Sequence, residues 1–470
     1  MIIDNVISRE KQVADALTGI CGGKYVFTGA DDLYGYGKDQ TLDLDFPFDI
    51  LVKPGTVEEV AAIMEVCNKH RVPVTPRAGG SGVTGGALPV NRGVVLSVER
   101  LNRIIGINET DGYIIVESGV ITADMCRHAE ERGLYFPVAP SSAGYSMVGG
   151  NVAENAGSIN SCRYGTTSQY VMNLEVVLPT GEVIWTGANV SKNATGFNLT
   201  QLFVGSEGVL GIITKVVYRL VPKPTHDVSL LAGFASLEDA CNAITAIRRS
   251  ALQPSAVELV CENALRMTSA YLNEPLPLVE EGITTHLLVN LQDFTEEGLM
   301  HSMELAGNIL EQYTAWNILT GTTAQEKEKM WKLRFSIGSA LMSEGRKYRD
   351  IDISVPLSSL YRYIRRVEEI AASHGMPLAC FGHALDGNLH TMLVLNEDTG
   401  EEETENAARA VNEIYSYAID NGGVISGEHG IGLLQKEFMP MQFSGPHLQL
   451  MQQIKQLLDP NGILNPGKVL

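Results

Sequence analysis

The sequence predicts an α+β fold in two parts, and three observations support this prediction. Before residue 221, short apolar strands and amphipathic helices are interspersed with three glycine-dense segments. Beyond residue 224, strands and longer amphipathic helices follow the pattern expected when helices cover one face of an antiparallel sheet. Between these parts lies Val221-Pro-Lys-Pro224, whose prolines are expected to end both sheet and helix there.

The first part contains mainly short strands, as judged from apolar runs bounded by turn residues. Strands are predicted at 49–55, 72–75, 93–98, 113–120 and 212–220, with a hairpin over 174–185. Thr56 lies three residues before Glu59, which predicts a capping box at a helix start. Thr122 is expected to cap a second helix, and the alternation in 212–220 indicates a half-buried strand.

The second part contains longer amphipathic helices between its strands. Strands are predicted at 228–234 and 286–291, and helices at 236–250, 297–312, 359–374 and 402–421. A histidine-rich turn lies between the last two helices. The turn-rich tail 459–468 is expected to return to the first part.

Charge and composition exclude several classes of partner. The chain has 55 acidic and 35 basic residues, a formal charge of -20. Such a surface repels phosphate backbones and anionic membranes, so neither nucleic acid nor a membrane surface is an expected partner. An anionic substrate therefore needs local positive charge from a metal, a buried arginine or a helix N-terminus.

The cysteines and the N-terminal sequence suggest a reduced, cytoplasmic protein. Seven scattered cysteines form no CxxC pair, which argues against a disulfide framework and against an iron–sulfur cluster held by this chain. MIIDNVISREK lacks the pattern of a signal peptide. No apolar run approaches the ~20 residues of a membrane span, so no integral membrane segment is expected.

The glycine-rich stretch PRAGGSGVTGG at 76–86 is the strongest local feature. Its backbone N–H groups can approach an anion closely because few side chains intervene, although a flexible turn is the alternative. It has neither the Gly-Lys-Ser/Thr of a P-loop nor the GxGxxG order of a dinucleotide fingerprint. Two further glycine-dense segments, at 140–157 and 205–213, indicate a long ligand lying against backbone.

Histidines form a second constellation, in FGHALDGNLH at 381–390 and SGEHGIG at 426–432. His383 and His390 bracket an Asp-Gly-Asn turn, so a hairpin would bring both imidazoles to one side. With Glu428 they suit a divalent cation such as zinc, manganese or iron. The alternative is that these histidines are ordinary structural residues.

Taken together, these motifs resemble the FAD-linked oxidases of the vanillyl-alcohol-oxidase/PCMH fold. Within that fold the chain is similar to the branch of D-lactate dehydrogenases, glycolate oxidase D subunits and D-2-hydroxyglutarate dehydrogenases. The resemblance implies a PCMH-type FAD-binding domain of two α+β subdomains over 1–222. It also implies a substrate (cap) domain with a helix-covered antiparallel sheet over 223–430, and a C-terminal segment over 431–470 that returns to the first domain.

The resemblance also implies the flavin-binding residues. The backbone of the 76–86 loop would hold the pyrophosphate, and the other two glycine-dense segments would border the flavin and its ribityl or adenosine part. The residues concerned are Pro76, Arg77, Ala78, Gly79, Gly80, Ser81, Gly82, Gly85, Pro140, Ser141, Gly144, Gly150, Asn151, Asn155, Gly157, Glu207, Gly208 and Ile213. Some relatives attach FAD through a histidine in the loop; Ser81 stands there, which implies non-covalent FAD.

For catalysis, the resemblance implies that His383, His390 and Glu428 ligate the metal and that His429 is the base. A metal on the substrate oxygens would lower the hydroxyl pKa, His429 would take the proton, and the hydride would pass to flavin N5. Arg334, in WKLR, would bind the substrate carboxylate bidentately. A surface salt bridge on a helix is the alternative for Arg334.

Two departures from the dicarboxylate-specific relatives bear on the substrate. Where those relatives have a threonine and a lysine, this chain has Gly338 and Asp350. Losing the lysine removes a partner for a second carboxylate. The sequence therefore favours D-lactate or a glycolate-like acid, with D-2-hydroxyglutarate as the alternative.

Three other functions stay open on sequence grounds: a metallohydrolase using the His383, His390 and Glu428 set, a non-catalytic nucleotide-binding subunit, and a redox-neutral, ether-lipid-synthase-like use of FAD. The resemblance implies an electron acceptor such as a quinone, a cytochrome, an iron–sulfur subunit or an electron-transfer flavoprotein. A homodimer is compatible with the sequence.

Overall fold

A computed structural model describes residues 2–343, 347–396 and 400–470, apart from the side chains of 2–8 and 30–31. The chain forms two compact units. Unit 1 comprises the chain up to Ser158, Gly165–Lys223 and Glu428–Leu470, and unit 2 comprises Ile159–Tyr164 and Pro224–Gly427. These divisions fall one and three residues from those expected at 222 and 430, and the short excursion 159–164 was not expected.

Unit 1 contains two sheets and a two-stranded ribbon. The four-stranded sheet has the order β1 (Val26–Phe27), β2 (Ile50–Val52), β4 (Val94–Ser97) and β3 (Val74–Arg77), with β2, β4 and β3 parallel. The antiparallel five-stranded sheet has the order β5 (Ile104–Asn108), β6 (Tyr113–Glu117), β10 (Ile212–Arg219), β8 (Val171–Val177) and β9 (Val183–Trp185). The ribbon pairs β7 (Leu134–Tyr135) with β11 (Val221–Pro222).

Helices of unit 1 precede, connect and follow these strands. They are α1 (Ile2–Cys21), α2 (Ala30–Leu33), α3 (Val57–His70), α4 (Thr122–Glu130), α5 (Val148–Glu154), α7 (Leu199–Phe203), α14 (Met439–Gln442) and α15 (Gly445–Leu458). One face of α3, formed by Val60, Ile63, Met64 and Cys67, is fully buried and packs with α1 in the core beside the four-stranded sheet.

Unit 2 is built on one seven-stranded sheet in which all neighbours are antiparallel. Its order is β15 (Asn317–Gly321), β12 (His226–Phe234), β14 (Thr285–Asp293), β13 (Ala256–Val260), β17 (Leu378–His383), β18 (Asn388–Leu395) and β16 (Lys347–Ser354). Its helices are α6 (Ser161–Tyr164), α8 (Leu237–Arg249), α9 (Glu262–Leu272), α10 (Glu296–Gln312), α11 (Ala324–Leu341), α12 (Leu360–Ser373) and α13 (Glu401–Asp420).

The α+β class is therefore confirmed, but the sheet of unit 2 is covered more fully than the sequence predicted. Every residue of β13, β17 and β18 is buried, so both faces of these central strands are covered rather than one. Helices α9 and α11 pack on one face in the cluster that contains Phe381 and Met392. A charged or polar side chain on these strands consequently lies in the interior.

Several local predictions were incomplete or wrong. Thr56 accepts a bond from the Glu59 N–H, but Glu59 Oε2 accepts from Gly55 N, so the reciprocal half of the capping box is absent. Thr122 is the first residue of α4 and bonds to Ser146 O instead of capping it. Strand β10 is mostly buried because it lies centrally in its sheet. Val221–Pro222 still forms a short strand, since an edge position tolerates proline.

Candidate functional site

In unit 1, the glycine-rich loop follows β3 and is held in conformations that favour glycine. Gly80 and Gly85 have φ values of 63° and 80°, in the left-handed region. A Cβ on Gly79 would lie 2.7 Å from the carbonyl oxygen of Tyr145. The loop therefore approaches the second glycine-dense segment more closely than a side chain would allow.

The backbone of this loop offers donors to a ligand. Across the described part of the chain, none of the N–H groups of residues 79–82 donates a hydrogen bond to the protein. The carbonyl of Gly82 is satisfied by the N–H of Gln40, at 3.0 Å. Since convergent backbone N–H groups bind anions, the loop fits a pyrophosphate.

The second segment, 140–157, lies against a turn after β6. A Cβ on Gly149 would lie 2.6 Å from Cβ of Ser118, and the N–H of Gly149 donates to the carbonyl of Ser118 at 2.8 Å, so the two backbones are in direct contact here. Asn151 donates to Thr122 Oγ1 at 2.7 Å, and Asn155 Oδ1 accepts from the N–H of Ser168 at 2.8 Å. Both predicted flavin-bordering asparagines thus have protein partners that organise the segment.

The third segment joins the loop through Glu207 and Gly208. A Cβ on Gly208, whose φ is 69°, would lie 2.7 Å from Cγ of Pro76. The Glu207 carboxylate accepts from the N–H of Ile431 at 2.8 Å and of Gly432 at 2.6 Å. Glu207 therefore fixes the turn that follows the predicted base, and its predicted place beside the adenosine or ribityl part stays a prediction.

Beside Glu207 lies a second acid, Glu154, which the sequence analysis did not single out. Its Oε2 is buried and has no hydrogen-bond partner among the described residues. Its Oε1 would lie 3.2 Å from a Cβ on Gly86, in the loop. Burial, and then the charge of Glu207, raise the pKa of Glu154 well above its usual range.

The C-terminal segment completes unit 1. Asn465 Nδ2 donates to the carbonyl of Gly86 at 3.0 Å and to that of Glu207 at 2.9 Å. Lys468 is buried and donates to the carbonyl of Leu88. Both lie in the turn-rich tail 459–468, whose return to the first part was predicted without any individual contact. Their contacts hold the glycine-rich loop and the third segment together.

Unit 1 thus assembles all three glycine-dense segments, and these segments carry every predicted flavin residue. The first segment runs from the end of β3, with Pro76 and Arg77, into the loop from Ala78 to Gly85. The second segment surrounds α5: before the helix lie Pro140, Ser141 and Gly144, within it Gly150 and Asn151, and after it Asn155 and Gly157. The third segment leads into β10, with Glu207 and Gly208 before the strand and Ile213 within it. Free loop N–H groups and the unpartnered buried Glu154 oxygen fit a bound dinucleotide.

In unit 2, the predicted hairpin brings His383 and His390 together. His383 ends β17 and His390 lies in β18, and each is 6% exposed. Their ring centroids are 5.5 Å apart with the rings nearly perpendicular, and a ring nitrogen of one lies within 4.8 Å of a ring nitrogen of the other. Two converging buried imidazoles fit a borderline divalent cation.

Glu258, which the sequence analysis missed, links this pair to Arg334. It lies in β13, directly opposite His383 across the strands, and its side chain is fully buried. Its Oε1 accepts from His383 Nδ1 at 2.5 Å, and its Oε2 accepts from Arg334 Nε at 2.8 Å. The Arg334 guanidinium also lies 4.7 Å from the ring centroid of Phe381. Arg334 is thus in a buried cluster rather than in a surface salt bridge.

Two aspartates of β16 border the histidine hairpin. A carboxylate oxygen of Asp350 lies within 4.8 Å of a ring nitrogen of His390. Asp352 is fully buried and accepts from Asn388 Nδ2 at 2.7 Å and from the N–H of Gly427 at 2.9 Å. Asp352 therefore fixes the end of unit 2, one residue before Glu428.

Glu428 and His429 belong to unit 1. His429 Nε2 lies 3.9 Å from Glu428 Oε1. The carbonyl of His429 accepts from Thr84 Oγ1 at 3.2 Å, and the N–H of Leu433 donates to Thr84 O at 2.8 Å. This segment is consequently held on the glycine-rich loop, an anchoring role of Thr84 that the sequence did not reveal.

These observations define the class: a two-unit α+β protein whose first unit carries a glycine-rich loop with backbone N–H groups available to a ligand. Family models agree, because the description "FAD binding domain" matches residues 48–187 and "FAD linked oxidases, C-terminal domain" matches residues 223–469. The chain belongs to the FAD-linked oxidases, and it is an FAD-dependent oxidoreductase. This membership accounts for the glycine segments, which the metallohydrolase hypothesis left unexplained.

Three relatives with named activities match nearly the whole chain. The chain is 35% identical to glycolate oxidase subunit GlcD of Bacillus subtilis, over 92% of this chain and 91% of the relative. It is 33% identical to a D-lactate dehydrogenase of Anaerostipes hadrus, with coverage of 93% and 91%. It is 32% identical to a D-2-hydroxyglutarate dehydrogenase of Stutzerimonas stutzeri, with coverage of 94% and 96%.

Solved structures confirm the predicted fold. p-Cresol methylhydroxylase with substrate bound superposes with a TM-score of 0.80 at 21% identity, over 98% of this chain and 97% of that one. 4-Ethylphenol oxidase from Gulosibacter chungangensis gives 0.77 at 19% identity, with the same coverage of 98% and 97%. Among the described helices, none combines the length and the apolar character needed to span a bilayer.

Proposed function

We propose that this protein oxidises a small 2-hydroxy acid, D-lactate or a glycolate-like acid, to the 2-oxo acid, using non-covalent FAD and a divalent cation. The observation that carries the proposal is the buried cluster of unit 2, where one carboxylate contacts both Arg334 and His383. A 2-hydroxy acid has a carboxylate and a hydroxyl on adjacent carbons, so it needs two anchors close together. When bound, FAD accepts the hydride and the cation lowers the hydroxyl pKa.

Arg334 is the anchor for the substrate carboxylate in this proposal. Within the described part of the chain, Arg334 donates a hydrogen bond from Nε to Glu258 and none from its two terminal NH₂ groups. These two groups can therefore form a bidentate pair with a substrate carboxylate. Its side chain is 12% exposed, so the pair would form in a largely dry environment, where it is stronger.

His383, His390 and Glu428 would hold the cation. The two histidines converge within the buried interior of unit 2. Glu428 follows Gly427 directly, and Ser426 and Gly427 are both bonded to Asp352 at 2.9 Å. Because Asp352 holds the two residues that precede Glu428, the backbone position of Glu428 is fixed, which supports Glu428 as the third ligand.

His429 would take the hydroxyl proton at a ring nitrogen, since an imidazole accepts protons readily near neutral pH. Its carbonyl accepts from Thr84 of the glycine-rich loop, and Glu207 accepts from the N–H groups of Ile431 and Gly432, two and three residues later. The base is therefore fixed on the same framework that is proposed to hold the flavin pyrophosphate.

Asp350 and Gly338 support a preference for monocarboxylates. The Asp350 carboxylate lies near His390, so it would repel a second substrate carboxylate there. A Cβ on Gly338 would meet no atom within 4 Å, so this position presents open space rather than a side chain that could bind a longer acid.

The test is a panel of D-lactate, L-lactate, glycolate and D-2-hydroxyglutarate with an artificial dye as electron acceptor. We expect a yellow protein that releases its flavin on denaturation and prefers D-lactate or glycolate. Metal removal by a chelator should abolish turnover and added Zn²⁺ or Mn²⁺ should restore it. His429→Gln should lower kcat by about 10² to 10⁴ while leaving bound flavin unchanged, and His374→Gln, a helix-end histidine paired with Glu413, is the matched control.

Two results would contradict parts of this proposal. Equal turnover before and after complete metal removal would refute the ligand assignment. A clear preference for D-2-hydroxyglutarate would refute the monocarboxylate assignment while leaving the reaction class intact. To isolate the second point, Asp350→Lys should shift the ratio of kcat/KM toward the dicarboxylate, whereas the exposed Glu304→Lys, which changes the net charge equally, should not.

A further inference from the structure

Glu258 is a charged residue inside a strand that is buried at all five positions. Both of its carboxylate oxygens are used: Oε1 by His383 Nδ1 and Oε2 by Arg334 Nε. The two partners lie 125 and 76 residues away in sequence. The proposed reaction assigns no role to this carboxylate, although it contacts a proposed metal ligand and the proposed carboxylate anchor.

We propose that Glu258 is a positioning residue that holds His383 in its metal-binding tautomer and Arg334 in its substrate-binding orientation. The inference deepens the proposed function and rests on it. With Nδ1 donating to Glu258, the neutral ring of His383 carries its proton on Nδ1 and presents the lone pair of Nε2. A carboxylate that accepts from the non-ligating nitrogen of a histidine typically fixes the ring and raises its basicity as a ligand.

The surrounding packing makes the two contacts interdependent. Arg334 lies over the ring of Phe381 at 4.7 Å, and Phe381 packs against His390 with ring centroids 5.2 Å apart. His390 in turn lies 5.5 Å from His383. With Glu258, these five side chains form a closed ring of contacts on α11, β13, β17 and β18. A shift of Glu258 therefore changes the separation between the carboxylate anchor and the metal ligands.

This separation matters because the proposed substrate spans both anchors. Its carboxylate and hydroxyl oxygens are joined through two carbons, so their distance hardly varies. Sites of this kind require first-contact residues that are held by supporting hydrogen bonds. One rigid carboxylate that accepts from both anchors supplies that support at a single position in the sheet.

The decisive variant is Glu258→Gln in the flavin-loaded enzyme. The two donors bond to different carboxylate oxygens, and the amide keeps an oxygen at only one of these positions, so its NH₂ would face the other donor. We expect Zn²⁺ affinity to fall by about 10- to 100-fold when the chelated protein is titrated with Zn²⁺. We also expect the KM for D-lactate to rise by about tenfold or more, with the flavin spectrum unchanged.

Glu175→Gln is the matched control. Glu175 is a buried carboxylate of unit 1 whose oxygens also serve two partners, Thr214 and Lys215, at 2.8 and 2.9 Å. It should lose stability but change neither Zn²⁺ affinity nor KM. Equal behaviour of the two variants would show that Glu258 is only a structural ion-pair residue and would overturn the inference.

Two measurements keep the inference testable if Glu258→Gln does not fold. Glu258→Asp keeps the charge but withdraws the carboxylate by one methylene, and it should show both effects in weaker form; unchanged Zn²⁺ affinity and KM would refute the proposal. In the wild-type holoenzyme, ¹⁵N shifts of His383 should report the Nδ1–H tautomer, and the Nε2–H tautomer would refute it as well. By contrast, a wild type that binds Zn²⁺ tightly yet oxidises no 2-hydroxy acid would overturn the proposed function instead.

Discussion

Buried carboxyl groups occur in both units, but Glu258 of unit 2 contacts two basic side chains, whereas Glu154 and Glu207 of unit 1 lie beside each other. In unit 2, Glu258 is buried between His383 and Arg334; burial raises its pKa, and the interactions with these two partners more than offset that effect, giving a pKa of about 2. In unit 1, burial raises the pKa of Glu207 to about 6, although the N–H groups of Ile431 and Gly432 oppose this shift. Glu154, beside Glu207, has its pKa raised well above the usual range.

The difference follows from what each unit is proposed to bind. In unit 2, an ionised Glu258 accepts hydrogen bonds from both Arg334 and His383, so it keeps the proposed carboxylate anchor charged and holds both side chains in place. Unit 1 carries the loop proposed for a pyrophosphate, where another full negative charge would repel the ligand. A carboxyl group that stays protonated can donate a hydrogen bond instead, as buried acids do in other sites.

The largest effect on stability should follow from removing the positive charge of Arg334 in unit 2. Arg334→Met leaves the fully buried Glu258 without its arginine, and breaking one side of a buried pair typically costs about 3–5 kcal/mol of unfolding free energy. Urea unfolding of substrate-free protein, followed by the fluorescence of the buried Trp331, should detect this loss. Trp185 and Trp316 are largely exposed and should contribute little to the change.

Lys215→Met is the comparison in unit 1. Lys215 pairs with the buried Glu175, but it is 23% exposed and Glu175 keeps its bond from Thr214. The loss of unfolding free energy in Lys215→Met should therefore be clearly smaller than that in Arg334→Met. Equal losses of unfolding free energy would mean that Glu258 depends on Arg334 no more than Glu175 depends on Lys215, and the contrast between the units would fail.

In unit 2, the sequence predicted the pair of histidines but not the carboxylate that contacts one of them. The hairpin that joins His383 and His390 is local, since the two are only seven positions apart and an Asp-Gly-Asn turn lies between them, so the sequence pattern predicted it. Glu258 lies 125 residues from His383, and no motif marks it. Its one available signal is a charge within the apolar strand AVELV, because a charge in a buried strand needs a partner.

In unit 1, the glycine spacing predicted the backbone loop but not the side chains that hold it. Glu154 lies within the recognised segment 140–157, yet nothing in its sequence neighbourhood shows that it faces Glu207, more than fifty residues later. Thr122 was wrong as a helix cap because its hydroxyl is committed to Ser146 and Asn151, contacts that only the tertiary fold creates.

An intermediate effect is expected from Glu207, and its sign distinguishes the two units. Because the folded pKa is raised from 4.5 to about 6, the protonated group favours the folded state. Its contribution is complete below about pH 4.5, is lost as the pH rises through about 6, and amounts to about 2 kcal/mol. Urea unfolding of flavin-free wild type and Glu207→Gln at about pH 5, about 6 and about 7.5 measures the difference.

The stability of the wild type relative to Glu207→Gln should therefore fall across this range. A difference that stays constant with pH would show that Glu207 keeps its ordinary pKa in the folded protein. A difference that grows with pH would mean that Glu207, like Glu258, is stabilised as an anion, and the two units would then treat their acids alike.

The smallest effect is expected from Glu154→Gln. If Glu154 is held protonated in the interior, a neutral amide of the same shape replaces a neutral acid, and the unfolding free energy should change by less than about 1 kcal/mol. FAD titration of the flavin-free protein should give a Kd within about threefold of the wild type for the same reason. A loss as large as that of Arg334→Met would instead show an ionised, compensated Glu154, and the proposal that Glu154 stays neutral beside the loop would have to be abandoned.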